Sequence, residues 1–135
     1  MDTAITKNEA LSKLQRTLTL NIQGVEEVIN FPTAGQLIDI EANKQIYSSK
    51  QYGTLVTARI VSTQVAVDII EMASVFSVVI KDFNKKVKGV DSIFDLDLIS
   101  LAELVKEYKT KFVPWYSEWL STFLEATKAD EPQNK

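Results

Sequence analysis

The chain has 135 residues, a net charge of −3 and an apolar fraction of 45%. This length favours a single domain, and the weak negative charge argues against non-specific nucleic-acid binding. Cysteine and histidine are both absent, which excludes disulfides, thiolate or imidazole catalysis, and zinc sites built from these residues. We expect one globular domain over residues 1–126, a flexible polar tail over residues 127–135, and no cofactor or metal.

The first quarter of the chain predicts a short helix followed by a β-hairpin. The sequence TKNE at residues 6–9 has the spacing of a capping box, which predicts a helix from about Lys7 to Gln15. The sequence TLTLNI at residues 17–22 alternates polar and apolar residues, which indicates a strand. Gln23-Gly24 is suited to a turn, and Val25 to Phe31 forms the returning strand.

The middle of the chain predicts two helices. Thr33 is placed to cap a helix over AGQLIDIEANKQIY, and the segment SSKQYG, with Gly53, ends it. From Thr54 to Phe83 there is no glycine or proline, which predicts one long helix. Because that helix is apolar nearly all round, it is either central to a bundle or covered by a partner. The three charged residues between Thr54 and Ile80 argue against a membrane span, so we expect a cytoplasmic protein.

The last third of the chain predicts an amphipathic helix and then an aromatic one. Pro114 is expected to kink or restart the helix between them. Asp91 or Ser92 can cap a first turn, and a second start near Asp95 to Asp97 is equally compatible with the sequence. The apolar positions that recur at steps of three and four are Leu98, Leu101, Leu104, Val105, Tyr108 and Phe112.

The aromatic residues near the C-terminus are the first candidate for a functional surface. Phe112, Trp115, Tyr116, Trp119 and Phe123 fall on one helical face. Such a face on a terminal helix is usually part of the core, and the rival interpretation is an anchor for a partner protein, since Trp and Tyr are enriched at binding hot spots. The candidate partner contacts are Trp115, Tyr116 and Trp119, with Tyr52 and Tyr47 as weaker candidates.

The acidic residues are the second candidate. Asp68 and Glu71 lie three residues apart on one helical face, which is compatible with acid–base catalysis but more typical of a polar strip or of pairing with a lysine. The remaining carboxylates fit no calcium-binding loop and are better explained by helix capping and solvation: Asp39, Glu41, Asp95 and Asp97.

Several short motifs together resemble small tail-assembly and tail-associated proteins of tailed bacteriophages. The likeness covers roughly residues 25–120. The motifs are Phe31-Pro32, Gly35, Ile38-Asp39-Ile40, Tyr52-Gly53, Asp68 with Glu71, and Pro114-Trp115-Tyr116.

The resemblance implies a non-enzymatic protein that masks apolar surface on a tail or baseplate component in the host cytoplasm. The alternative is a permanent virion subunit, such as a ring, connector or tail component, that forms a symmetric oligomer. A carboxylate enzyme using Asp68 and Glu71 is a third reading. We expect a protein partner or a second copy of the chain, with no nucleic acid and no membrane. The expected fold is mainly helical α+β, with an N-terminal hairpin packed on a small helical bundle.

Overall fold

The computed structural model describes residues 9–87 and 92–129, and the expected α+β, mainly helical fold is confirmed. A two-stranded antiparallel hairpin packs on several helices. The elements are α1 (9–12), β1 (Thr17–Ile22), β2 (Val25–Asn30), α2 (Ala34–Tyr47), α3 (Tyr52–Thr57), α4 (Val61–Val79), α5 (Phe83–Lys86), a 3₁₀ turn (Ile93–Asp95), α6 (Leu98–Glu107), a π-helical turn (Tyr108–Phe112) and α7 (Val113–Thr127).

The predicted hairpin is confirmed. Gln23 and Gly24 both have positive φ, at 51° and 88°, as the tight turn of a two-residue hairpin requires. The backbone N–H of Gly24 donates to the Asn21 side-chain oxygen at 2.8 Å. The hairpin turns one apolar face into the core, and its buried residues are Leu20, Ile22 and Ile29.

Helix α2 begins at Ala34 and ends at Tyr47 as predicted, and the predicted break follows directly, but it is made without Gly53. The Thr33 side chain accepts from the Gln36 N–H, and the Gln36 side chain accepts from the Thr33 N–H, which completes a capping box. The chain reverses at Ser49 and Lys50, whose φ values are 54° and 66°. Gly53 therefore does not end the helix, because it lies inside α3.

The predicted single helix from Thr54 to Phe83 is wrong, because the structure divides it into α3, α4 and α5. Ala58 and Ile60 adopt extended backbone between α3 and α4, and Asp82 is left-handed, with φ 56°, before α5. Neither break contains glycine or proline. Tertiary contacts account for both, since the Tyr52 hydroxyl donates to the Glu71 carboxylate across the first break and Phe83 is buried after the second.

Helix α4 is the central helix, but only its second half is enclosed. By length and composition alone it could cross a membrane, and 33% of its most apolar window is buried within the protein. Met72 to Phe76 are buried against α2, α6 and the π-helical turn, whereas Val61 and Val65 are exposed. The expectation that most of the helix circumference is hidden therefore holds for the second half only.

The chain is continuously helical from Leu98 to Thr127, through Pro114, so the predicted restart does not occur. The Asp97 side chain caps α6 by accepting from the Ser100 N–H at 2.8 Å. Immediately before the proline, the Val113 N–H donates to the Tyr108 carbonyl, which is a π-helical bond. This wider turn takes up the strain of a residue that lacks an N–H and crowds the preceding turn.

Three sequence features fall partly or wholly outside the described residues. They are the capping box at residues 6–9, the candidate helix cap Asp91, and most of the C-terminal tail. Helix α7 ends at Thr127, close to the expected boundary of the globular domain.

Candidate interaction surfaces

An aromatic cluster joins α7 to the end of the hairpin, and we call it the aromatic junction: Phe31, Trp115, Tyr116 and Trp119. Phe31 lies at its centre, with its ring centroid 4.7 Å from Trp119, 5.4 Å from Trp115 and 5.7 Å from Tyr116. The structure thus brings together the three strongest sequence candidates, but around a residue of their own chain.

Both tryptophans of the junction are fixed by one backbone carbonyl. The indole Nε1 atoms of Trp115 and Trp119 donate to the Gln15 oxygen at 2.7 and 2.8 Å. Trp115 is only 9% exposed, whereas Phe123, two turns further along α7, is 54% exposed. The aromatic face of α7, which we call the aromatic stripe, therefore runs from the core to the surface. Trp115 is a core residue.

The outer end of the stripe borders an apolar pocket of about 490 Å³. Arg16 is its one charged lining residue within the described part of the chain. Its apolar lining is Leu11, Phe31, Pro32, Ala34, Leu37, Trp119, Leu120 and Phe123. Trp119 is thus the aromatic candidate that combines a fixed indole with a pocket wall, and its partner-binding role stays a prediction.

Tyr47 and Tyr52 lie outside the aromatic junction, and each contacts other residues of the chain. Tyr47 is half-buried and packs edge-on against Phe94, with ring centroids 4.9 Å apart. Tyr52 donates to Glu71, and the Lys44 ammonium lies 5.4 Å from its ring centre. Burial first, and then the hydrogen bond to Glu71, raises the pKa of Tyr52 well above its ordinary value. Both rings are engaged within the chain, and their role in binding a partner stays a prediction.

The carboxylates Asp68 and Glu71 are engaged with different partners. Asp68 Oδ2 lies 3.0 Å from Lys109 Nζ, whereas Glu71 accepts from Tyr52. This is the lysine-paired arrangement that the sequence favours over a catalytic pair. Within residues 9–87 and 92–129, no group of three or more acidic side chains could hold a metal ion. Glu41 pairs with Lys44 at 2.9 Å.

An open apolar surface lies between α4 and α6, and we call it the α4–α6 groove. It has a volume of about 500 Å³. Among the residues that the structure describes, the charged side chains of its lining are Asp68, Lys106 and Lys109. The other lining residues are Val65, Ile69, Leu98, Leu101, Ala102, Val105 and Thr110.

Exposed apolar side chains extend this groove along both helices. Val61 is 73% exposed and lies one turn before Val65, and Ile99 is 81% exposed and lies one turn before Ala102. Leu98, in the groove itself, is 69% exposed. Exposed apolar residues clustered around an apolar groove mark interaction sites more often than isolated exposed residues do.

Sequence reasoning did not find the α4–α6 groove, although one signal pointed to it. A helix that is apolar on nearly all sides needs a cover, and α4 finds one within the described chain only for its second half. Leu98 was assigned to the buried stripe of α6, but it lies at the open end of that stripe.

Comparison with protein-family models, with curated proteins and with solved structures finds no match to this chain. The resemblance to phage tail proteins therefore stays a prediction from short motifs. A functional assignment depends on the surfaces described above and on those motifs.

Proposed function

We propose that this chain is a non-enzymatic protein that binds an apolar segment of a phage tail or baseplate component and covers it during assembly in the host cytoplasm. The observation that carries the proposal is the α4–α6 groove, an open apolar surface with preformed walls. The short motifs of the sequence support the phage assignment.

The groove is suited to masking because its floor is already fixed by the core. Leu101 is buried, and Ile69 packs against the buried cluster, so both are held before any partner arrives. Burial of apolar surface contributes roughly 25 cal/mol per Å², from which the costs of association are subtracted. A preformed groove lowers those costs, because few side chains must be ordered on binding.

Two observations support a role without catalysis. The chain contains no cysteine or histidine. The adjacent carboxylates Asp68 and Glu71 are each engaged by a different residue, Lys109 and Tyr52, rather than by one another. A general acid or base must reach the proton that it transfers, and both carboxylates are already bound within the chain.

A second candidate function is a permanent virion subunit in a symmetric oligomer. Large apolar side chains are also exposed on the hairpin, at Val28, and on α2, at Ile38 and Ile46. A subunit with neighbours on several sides would cover such dispersed surfaces, whereas a chaperone with one partner would not.

The two functions are separated by mass spectrometry of purified particles against infected-cell lysate. A chaperone is expected in the lysate and absent from particles, whereas a structural subunit is present in particles at fixed copy number. If the protein is associated with no virus at all, the phage assignment fails.

The groove itself is tested by affinity capture from infected cells with Ala102→Arg, which places a long charged side chain in the groove lining. We expect this variant to lose the captured tail component. Ala42→Arg is the matched control, since Ala42 is an exposed alanine on α2. If Ala102→Arg captures as much of the component as the control does, masking by this groove is wrong.

A further inference from the structure

On the basis of the proposed function, we propose that the occupant of the α4–α6 groove is an amphipathic α-helix that carries a carboxylate beside its apolar stripe, held by Lys106 and Lys109. The shape of the groove, the hydrogen-bonding capacity of its lining and its charge all favour such a helix.

The length of the groove fits a short helix. Helix α6 has ten residues, which at 1.5 Å per residue gives a wall about 15 Å long. That wall accommodates roughly three turns of a third helix, whose apolar residues at i, i+3, i+4 and i+7 would lie between the two walls. The fixed floor residues Ile69 and Leu101 then form one side of an ordinary helix-packing contact.

The lining favours a helix over an extended segment. Its polar side chains are few, and the Thr110 hydroxyl already donates to the Lys106 carbonyl at 2.7 Å. An extended segment would bury backbone N–H and C=O groups against Val65, Ile69 and Val105, which offer them no side-chain partner. A helix satisfies these groups internally and can present apolar side chains alone to the groove.

The charge of the groove favours an acidic occupant. Asp68 and Lys109 already neutralise each other at 3.0 Å. Lys106 is exposed and makes no ion pair within residues 9–87 and 92–129. The Lys109 ammonium is also half exposed, and it has three donors, so it can bind a second carboxylate. The groove thus carries one excess positive charge on a chain whose net charge is −3.

The test uses two synthetic helical peptides of about four turns with an identical leucine stripe. One carries glutamate beside the stripe and the other carries lysine. Fluorescence anisotropy with the full chain should show that the glutamate peptide binds about fivefold more tightly for each carboxylate–lysine contact. In about 0.5 M salt the difference should shrink, because exposed charges are then screened.

Charge reversal provides the decisive control. Lys106→Glu should reverse the preference, so that the lysine peptide binds more tightly than the glutamate peptide. Lys85→Glu makes the same change at an exposed lysine on α5 and should leave the preference as in the wild type. Ala102→Arg should weaken both peptides, and circular dichroism checks that each variant remains folded.

Three outcomes would overturn the inference. If both peptides bind equally and Ala102→Arg weakens both, the groove binds an apolar helix without discriminating by charge, and the masking function stands. If neither peptide binds while Ala102→Arg still abolishes capture of the tail component, the occupant is not a helix of this kind, and masking again stands. If the wild type sediments as a dimer and Ala102→Arg as a monomer, the occupant is a second copy of the chain.

Discussion

At the scale of single residues, the Gln15 carbonyl has an unusual role, because two indole N–H groups depend on it. Trp115 and Trp119 are about one turn apart on α7 and lie 100 and 104 positions from Gln15 in the sequence. A carbonyl oxygen has two lone pairs, so both indoles can be satisfied at once. The residue before the hairpin is thereby fixed to the final helix.

We expect the two tryptophans to contribute unequally to stability. Trp115→Ala should lower the free energy of unfolding by about 3–5 kcal/mol, because it empties a buried site. Trp119→Ala should cost about half as much, since that ring is half-buried. Urea denaturation followed by circular dichroism measures both. Equal losses would contradict the burial gradient along α7, and a folded Trp119→Ala chain that no longer binds its partner would support the anchor hypothesis.

The sequence was sufficient to place the aromatic residues on one helical face, because their spacing alone determines that. It could not distinguish Trp115 as core from Phe123 as surface. That difference depends on Phe31 and Gln15, which reach α7 only through the folding of the hairpin. A contact across 100 positions leaves no local pattern in the sequence.

At the scale of elements, two glycines occupy different backbone conformations, one in a tight turn and one in a helix. Gly24 has φ 88° at the hairpin turn, where an L-residue with a side chain is strained. Gly53 lies within α3, where glycine weakens a helix. Neither has a heavy atom within 4 Å of the position that a Cβ would occupy. An alanine at either position would therefore not clash with neighbouring residues.

We expect the same substitution to have opposite signs at these two positions. Gly24→Ala should destabilise by about 1–2 kcal/mol, because alanine resists left-handed backbone. Gly53→Ala should stabilise by about 0.5–1 kcal/mol, because it restricts the unfolded chain without straining the helix. Urea denaturation of the two variants in parallel tests this. A stabilising Gly24→Ala would show that the turn does not require positive φ.

Elements defined by local signals were predicted well, and those defined by tertiary contacts were not. The hairpin and the start of α2 follow from Gly24 and Thr33, whose effects act within a few residues. The division of the predicted helix from Thr54 to Phe83 has no such signal. It depends on Tyr52 reaching Glu71 and on burial of Phe83, and neither contact could be read from helix propensity.

At the scale of the whole molecule, three tyrosine hydroxyls resist ionisation. Burial is the first cause at each, and it raises the pKa values of Tyr52, Tyr108 and Tyr116 above the ordinary value. Nearby carboxylates add to the effect, with Glu71 acting on Tyr52 and Tyr108. The folded protein therefore holds these phenols neutral at a pH where an unfolded chain would lose their protons.

We expect stability to fall on the alkaline side because of these residues. A pKa that is raised on folding contributes stability in full below the unfolded value, near pH 10 for tyrosine, and that stability is lost as pH rises above it. Thermal unfolding between about pH 8 and pH 11 should show the loss. Tyr108→Phe, which removes the most buried of the three phenols, should make the curve flatter than in the wild type. An unchanged slope would contradict this assignment.

The α4–α6 groove belongs to the same scale, and sequence reasoning could not have located it. The apolar character of both helices is plain from their residues, and the fold class follows from such patterns. Which half of α4 is enclosed, and which half is left open, depends on the packing of the whole chain. The sequence predicted that some apolar surface needs a cover, and the structure locates it.

The shared carbonyl of Gln15 also determines what intrinsic fluorescence can report. The chain has two tryptophans, and both indoles lie at that one junction. Their emission therefore reports local hydration there, and an opening of α3 that leaves the junction intact would be silent. A red shift that precedes the loss of helical signal would reveal the hairpin and α7 separating before the rest of the protein unfolds.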